Sequence, residues 1–142
     1  MPLTHSMEQV ALAIHSILEQ NKATLGLKRV ILGATDVVPE YPAVVVMNSG
    51  QDRSIKAIHK FSVQMQYDLF VLVCKIGAPE DKEEKVLELL QSIVDTLAID
   101  RTLGGRVIWS QASTLAIEDV TARSVTYRGG SVRFIVTSEE IF

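Results

Sequence analysis

Residues 56–76, KAIHKFSVQMQYDLFVLVCKI, carry the most regular pattern in the chain. Apolar side chains occupy most of the odd-numbered positions and alternate with polar ones, and this period of two predicts a β-strand. One straight strand of this length would span about 69 Å, whereas a compact domain of this size has a diameter of about 37 Å. Because no Asn-Gly or Pro-Gly pair divides the stretch, we expect a bulged long strand that overhangs the body rather than a tight hairpin.

The second half of this strand is apolar on both faces. Phe70, Leu72, Cys74 and Ile76 fill the positions that are polar in the first half, and this predicts burial on both sides. The helix that follows is one cover. The other is the first helix or a neighbouring subunit, since a long exposed apolar strand promotes aggregation. A central strand enclosed within one subunit is the alternative.

Two amphipathic helices flank the strand. The first covers residues 6–21 and is followed by Gly26, a residue type that commonly ends helices. The second covers residues 79–97 and starts with a proline and several acidic residues, which suit the N-terminus of a helix. Gly104 and Gly105 follow it as the expected chain reversal.

The remaining segments predict shorter strands. Residues 48–54 are all polar or glycine and have no period, so we expect an exposed loop there that serves as a contact arm. Gly129 and Gly130 suit a two-residue hairpin turn. The predicted shorter strands are residues 28–33, 43–47, 107–120, 125–128 and 131–137.

The order of these elements predicts the fold class. A helix, several strands, a helix and further strands indicate a single α+β domain over residues 1–142. We expect a mainly antiparallel sheet with one very long strand, packed by two helices.

Composition excludes several classes of protein. With 47% apolar residues the chain can build a core without disulfides, and a net charge of −3 argues against sequence-specific nucleic-acid binding. The lone cysteine forms neither an intrachain disulfide nor a cysteine cage for zinc. The start of the chain lacks the pattern of a secretory signal. The longest apolar run, residues 69–74, is far short of the roughly 20 residues that cross a membrane, so we expect a protein made in the cytoplasm.

Residues that could carry chemistry are scattered. His5, His15 and His59 lack the spacing of a metal site. Cys74 and His59 would point to opposite faces of a regular strand, so we expect an inert, buried Cys74. We therefore predict no enzymatic activity, no metal and no cofactor. Trp109 suits an interface anchor, but core packing is the favoured interpretation for so large a side chain.

A small group of cations stands out near the start of the long strand. Lys56 and Lys60 are four residues apart, which places them on one face of a single strand, and Arg53 precedes them. Such charges form a positive edge for a partner, or they solvate an edge strand and discourage unwanted pairing.

The chain resembles the tail-terminator, or tail-completion, proteins of long-tailed bacteriophages. The resemblance lies in the element order, in residues 42–46 (PAVVV), in the alternating strand, in the acidic-started helix, and in residues 103–107 (LGGRV). It implies a non-enzymatic virion protein of the tail and neck, assembled in the host cytoplasm. Such a protein forms a ring, typically a hexamer, on the end of the tail tube and stops its polymerisation.

The resemblance also implies partners. These are other copies of the chain, the tail tube protein, and a connector or neck protein of the head, with no membrane involved. As a hypothesis, Arg53, Lys56 and Lys60 lie at a subunit or tube interface. The alternatives are another neck or head-completion protein of the same phages, a cytoplasmic oligomeric module that binds a small ligand in a concave pocket, and a small hydrolase or transferase.

Overall fold

Three helices and five strands make up the described part of the chain. A computed structural model of the protein describes residues 7–33, 42–57, 60–76, 83–103, 107, 109–122 and 125–141. The helices are α1 (Met7–Gln20), α2 (Lys22–Leu25) and α3 (Glu83–Ala98). The strands are β1 (Arg29–Leu32), β2 (Ala43–Ala57), β3 (Lys60–Lys75), β4 (Trp109–Ala122) and β5 (Val125–Ile141).

All five strands belong to one sheet, in the order β1-β2-β3-β5-β4. Every neighbouring pair is antiparallel except β1 and β2, which run parallel. The predicted α+β class with a mainly antiparallel sheet is therefore confirmed. The sequence predicted one very long strand, but four strands are long: β2, β3, β4 and β5 contain 15, 16, 14 and 17 residues.

The predicted loop at residues 48–54 is wrong, because these residues belong to β2. They pair with β3 down to Ala57, which lies opposite Lys60, so the chain reverses between these two residues. The long strand predicted over residues 56–76 is confirmed over Lys60–Lys75, but its predicted start is wrong, because residues 56 and 57 belong to β2. A polar segment forms a strand here because β3 supplies partners for its backbone groups, while its side chains need no core. The predicted bulge of the long strand is present, with a register shift between Leu72 and Cys74 of β3. Strand β2 has a further register shift between Asn48 and Gly50.

Helices α1 and α3 pack on the same face of the sheet. Their buried side chains form one core with alternate residues of the strands, such as Val44 in β2 and Phe134 in β5. The first helix therefore does not cover the opposite face of β3, as one interpretation of the sequence required. The buried residues of α1 and α3 in this core are Val10, Ala11, Ala13, Ile14, Leu18, Val86, Leu89, Leu90, Ile93 and Leu97.

A second, smaller buried cluster lies on the other face of the sheet. Ala43, Val45, Leu72 and Tyr127 form it. Ala43 and Val45 alternate along β2 with Val44 and Val46 of the main core. Burial of both faces at this end of β3 is thus confirmed for Leu72. It is wrong for Ile76, which lies beyond the end of the strand and is 44% exposed.

The predicted turn at Gly129 and Gly130 is also wrong. Both glycines lie inside β5, where Gly129 is opposite Leu72 of β3 and Glu118 of β4. A Cβ added to Gly129 would lie 1.8 Å from the backbone oxygen of Val71. The chain reverses instead between Ala122 and Val125, which are register partners. These glycines are therefore needed for close packing within a strand.

The start of the fold follows the sequence closely. Helix α1 lies where the apolar period predicts it, and the helical segment ends at Gly26, whose φ of +74° is left-handed. Helix α3 occupies the described part of the predicted second helix and ends at Ala98. Residues 79–82, Gly104 and Gly105 lie outside the described residues.

Replacing Gly26 with alanine should lower the free energy of unfolding by about 1 kcal/mol, because a Cβ strains the left-handed conformation. A Cβ at this position meets no atom within 4 Å, so the cost is purely conformational. Asparagine, which tolerates this conformation, should cost clearly less. Urea unfolding of both variants measures the difference. Equal losses of unfolding free energy would contradict the left-handed conformation of Gly26.

Candidate assembly surface

Two strands of the sheet present unpaired edges, one on each side. On one side, β4 is the last strand, and no described strand pairs with its outer edge. On the other side, β1 pairs with only four residues of β2 and ends opposite Val46. Gly33 then donates to the Val46 oxygen at 2.8 Å, and its φ of +85° turns the chain. Beyond Val46, no described strand pairs with the outer edge of β2.

The first part of β4 lacks the charges and prolines that commonly protect an edge strand. Its first nine residues, from Trp109 to Ile117, include no charged side chain and no proline, although a register shift falls between Ala112 and Thr114. Leu115 is 42% exposed. Charged residues and prolines are the common means by which edge strands avoid pairing with other chains. The composition of β4 therefore suits a strand that is paired in an assembly.

The exposure of Trp109 contradicts its predicted place in the core. The indole is 47% exposed at the start of β4. The guanidinium of Arg101 lies over the ring, 5.0 Å from its centroid, and the indole Nε1 donates to Oε1 of Gln111 at 3.3 Å. Trp109 is the first residue of an edge strand, where one side of the ring has no neighbouring strand to bury it. An exposed tryptophan beside an arginine is typical of interface anchors.

Replacing Trp109 with alanine should lower the free energy of unfolding by less than about 1.5 kcal/mol, because the ring is half exposed and the cation–π contact is worth about 1 kcal/mol at most. The matched control is Phe134→Ala in the neighbouring strand. This aromatic side chain is 2% exposed, so its loss should cost about 3 to 5 kcal/mol. If both variants lost a similar free energy of unfolding in urea, Trp109 would have to be buried in the core.

The face of the sheet opposite the helices is polar over much of its length. Asp68 of β3 and Arg133 of β5 are register partners on this face, and Nε of Arg133 lies 3.4 Å from the carboxylate. Polar residues of β3, β4 and β5 surround this pair. Those that share the face are Gln64, Gln66, Gln111, Thr114 and Thr137.

The three predicted interface cations lie on two strands rather than one. Arg53 pairs with Val63 in the β2–β3 register, and Lys56 belongs to the same part of β2. Lys60 begins β3, opposite Ala57. The prediction that Lys56 and Lys60 share one face of one strand is therefore wrong, because the chain reverses between them. All three still lie at the same end of the β2–β3 pair. Their side chains are outside the described structure.

A cleft of about 550 Å³ separates the C-terminal ends of α1 and α3. Most of its polar side chains bond locally. The Asn21 amide donates to the Ile17 oxygen at 2.8 Å, the Thr96 hydroxyl donates to the Ser92 oxygen, and Asp100 accepts from Thr102. The cleft therefore presents few polar groups that converge on a ligand. Its lining residues are Ala13, Ser16, Ile17, Gln20, Asn21, Thr96, Leu97, Ile99, Asp100 and Leu103.

Side chains singled out for chemistry occupy structural positions where they are described. The His15 ring nitrogen Nε2 lies 3.0 Å from the Val30 oxygen, and Cys74 is a buried thiol. Tyr67 is fully buried, its hydroxyl donates to the Met65 sulfur, and burial raises its pKa above the usual range. His5 and His59 lie outside the described residues. Among the described side chains, no group of three or more His, Cys, Asp and Glu is placed to hold a metal.

No protein-family model and no curated protein matches this chain. No helix in the described ranges is long and apolar enough to span a membrane.

The features that sequence reasoning missed are the edge of β4 and the exposed Trp109 beside Arg101. The uncharged run from Trp109 to Ile117 was the available signal, because a charge-free strand at an edge invites pairing. Its meaning depends on the strand order, which places β4 at the end of the sheet rather than within it.

Proposed function

We propose that this protein is a structural subunit that forms a ring on the end of a bacteriophage tail tube, stops tube polymerisation and provides the surface for head joining. The observation that carries the proposal is the pair of unpaired strand edges, on β4 and on the distal part of β2, at opposite sides of one sheet. Two different edges on opposite sides favour head-to-tail contacts, and such heterologous contacts generate closed rings when the rotation closes.

Two further properties support a tube-capping ring. The α+β fold agrees with what the resemblance to tail-terminator proteins implies. The net charge of −3 also suits a conduit for DNA, since a wall that repels phosphates does not retain the passing molecule. Virion localisation follows from the same proposal.

Tube binding tests the function directly. Gold-labelled protein is mixed with purified tail tubes of a long-tailed phage and imaged by negative stain. Label at one end of each tube, together with arrest of further growth when free tube protein is added, is the expected result. Binding to isolated head connectors without binding to tubes would instead assign the protein to the neck. Binding to neither would contradict the proposal.

The cleft between α1 and α3 supports a second candidate, a small-ligand-binding module. Its volume falls within the range of ligand sites, although most of its polar groups bond to residues two to four positions away in the chain. Thermal unfolding against a panel of small metabolites tests it. Ser16 is exposed at the cleft, so Ser16→Trp should fill the space. A stabilising ligand whose effect disappears in this variant would support the module.

A further inference from the structure

We infer that the cleft between the C-terminal ends of α1 and α3 binds a small organic cation, an ammonium group on an apolar body. The inference rests on the second candidate function, in which this cleft is a ligand site, and it names the chemical class of the ligand. It is independent of the proposed ring. The helix ends, the charges around the cleft and its apolar lining each favour a ligand of this class.

Both helices that end at the cleft lack the usual compensation of their C-terminal charge. The C-terminus of an α-helix carries the equivalent of about half a negative charge, which basic residues in the last turn commonly offset. The last turns, residues 17–20 of α1 and 95–98 of α3, contain no basic residue, and each contains one acidic residue. The backbone oxygens of Leu97 and Ala98 accept no hydrogen bond from any described residue. Both helix ends therefore favour a cation between them.

The side-chain charges around the cleft favour a ligand of the same sign. Asp100 is the one charged side chain among the described residues that line it. The cations that follow the two helices are engaged with other partners. Lys22 pairs with Glu19 at 3.0 Å, and Arg101 donates to the Ser110 oxygen at 3.2 Å. Neither of them lines the cleft, so an entering cation meets a carboxylate and no described like charge.

The lining of the cleft favours an organic cation over a metal ion. Half of the lining residues are apolar. Leu97 and Leu103 are buried there, whereas Ile99 is 84% exposed and offers apolar surface that an alkyl chain would cover. A metal ion requires several converging oxygen ligands, and no described cluster of His, Cys, Asp and Glu provides them. An alkylammonium ion needs only one charged contact and an apolar surface.

Three ligands with the same alkyl chain separate charge from hydrophobic contact. These are n-hexylammonium, 1-hexanol and hexanoate at pH 7, titrated against the full chain by ligand-observed NMR. Hexylammonium should bind at least about fivefold more tightly than hexanol, since two helix ends and one carboxylate attract it. Hexanoate should bind more weakly than hexanol. Raising NaCl from about 20 to 500 mM should reduce the preference for the cation.

Substitutions locate the site. Ser16→Trp fills the cleft and should abolish binding of hexylammonium and of hexanol. Asp100→Asn removes the charge but keeps a side-chain oxygen that accepts from Thr102, as the carboxylate does. This variant should weaken binding of hexylammonium about three- to fivefold and leave binding of hexanol unchanged.

Glu84→Gln is the matched control. Glu84 is exposed near the start of α3, about 24 Å from Asp100 along the helix, and its substitution changes the net charge by the same amount. We expect Glu84→Gln to bind all three ligands as the original protein does. Each variant is first shown to unfold at the temperature of the original protein.

Each alternative result has a distinct meaning. Equal binding of hexylammonium and hexanol would overturn the cation while keeping an apolar ligand site. Equal weakening by Asp100→Asn and Glu84→Gln would assign the preference to overall charge and overturn the inference. Binding that survives Ser16→Trp would place the site elsewhere. Absence of binding by all three ligands would contradict the cleft as a ligand site. Tube capping is measured separately, so it stands or fails independently of these results.

Discussion

Replacing Gly129 with alanine should prevent folding or lower the free energy of unfolding by at least about 3 kcal/mol. The added Cβ would lie 1.8 Å from the Val71 oxygen and 3.3 Å from the Leu72 Cα, both of which are backbone atoms of β3. No side-chain movement relieves such a contact, so β3 and β5 must separate at this point. Urea unfolding followed by circular dichroism measures the loss.

The matched control is Gly50→Ala in β2. A Cβ at Gly50 meets no atom within 4 Å, and its φ is not left-handed, so alanine should be neutral or stabilise the fold by about 0.5 kcal/mol. Gly129→Asn separates the strand from a turn, because asparagine is tolerated in hairpin turns and is larger than alanine in a tight contact. A mild effect of Gly129→Asn would contradict the position of Gly129 inside β5.

Reversing the three cations Arg53, Lys56 and Lys60 to glutamate should weaken association of the subunits by about 10- to 100-fold. Exposed charge pairs contribute about 0.2 to 1 kcal/mol each, and reversal replaces three positive charges at one end of the β2–β3 pair with three negative ones. Light scattering across a concentration series measures the shift of the midpoint.

The control for this variant reverses three cations elsewhere. Lys28, Arg29 and Lys85 are all exposed, and their reversal changes the net charge by the same amount. We expect this control to assemble as the original protein does. Intact rings and intact tube capping by the Arg53, Lys56 and Lys60 variant would show that these residues lie outside both interfaces.

The helices and the inner half of the sheet could be predicted from sequence because burial imposes a clear period. Helices α1 and α3 each bury one stripe, and the odd positions of β3 from Val63 to Val73 are buried as the alternation predicts. Burial on one face leaves a direct record in the order of apolar and polar residues.

The errors arose where non-local pairing outweighed local preference. Residues 48–54 have the composition of a loop, but β3 pairs with them throughout. Gly129 and Gly130 have the composition of a turn, but their small size is needed because β3, β4 and Leu90 approach closely. Neither contact can be predicted from local sequence, because both involve residues that are distant along the chain.

The candidate surface was predicted only in part for a related reason. The sequence shows a cluster of positive charge at Arg53, Lys56 and Lys60, and in the structure all three lie at one end of the β2–β3 pair. The only sequence signal for the edge of β4 is the uncharged run from Trp109 to Ile117. Its significance lies in the absence of a neighbour among the described strands, which depends on the strand order of the whole sheet.

Mass by light scattering across a concentration series, with the same sample imaged by negative stain, tests the central claim most directly. A closed ring with a central hole and a mass of about six times 15.7 kDa is the predicted result. A compact dimer at every concentration would contradict head-to-tail closure through the edges of β2 and β4, because two copies related by a twofold axis pair identical surfaces.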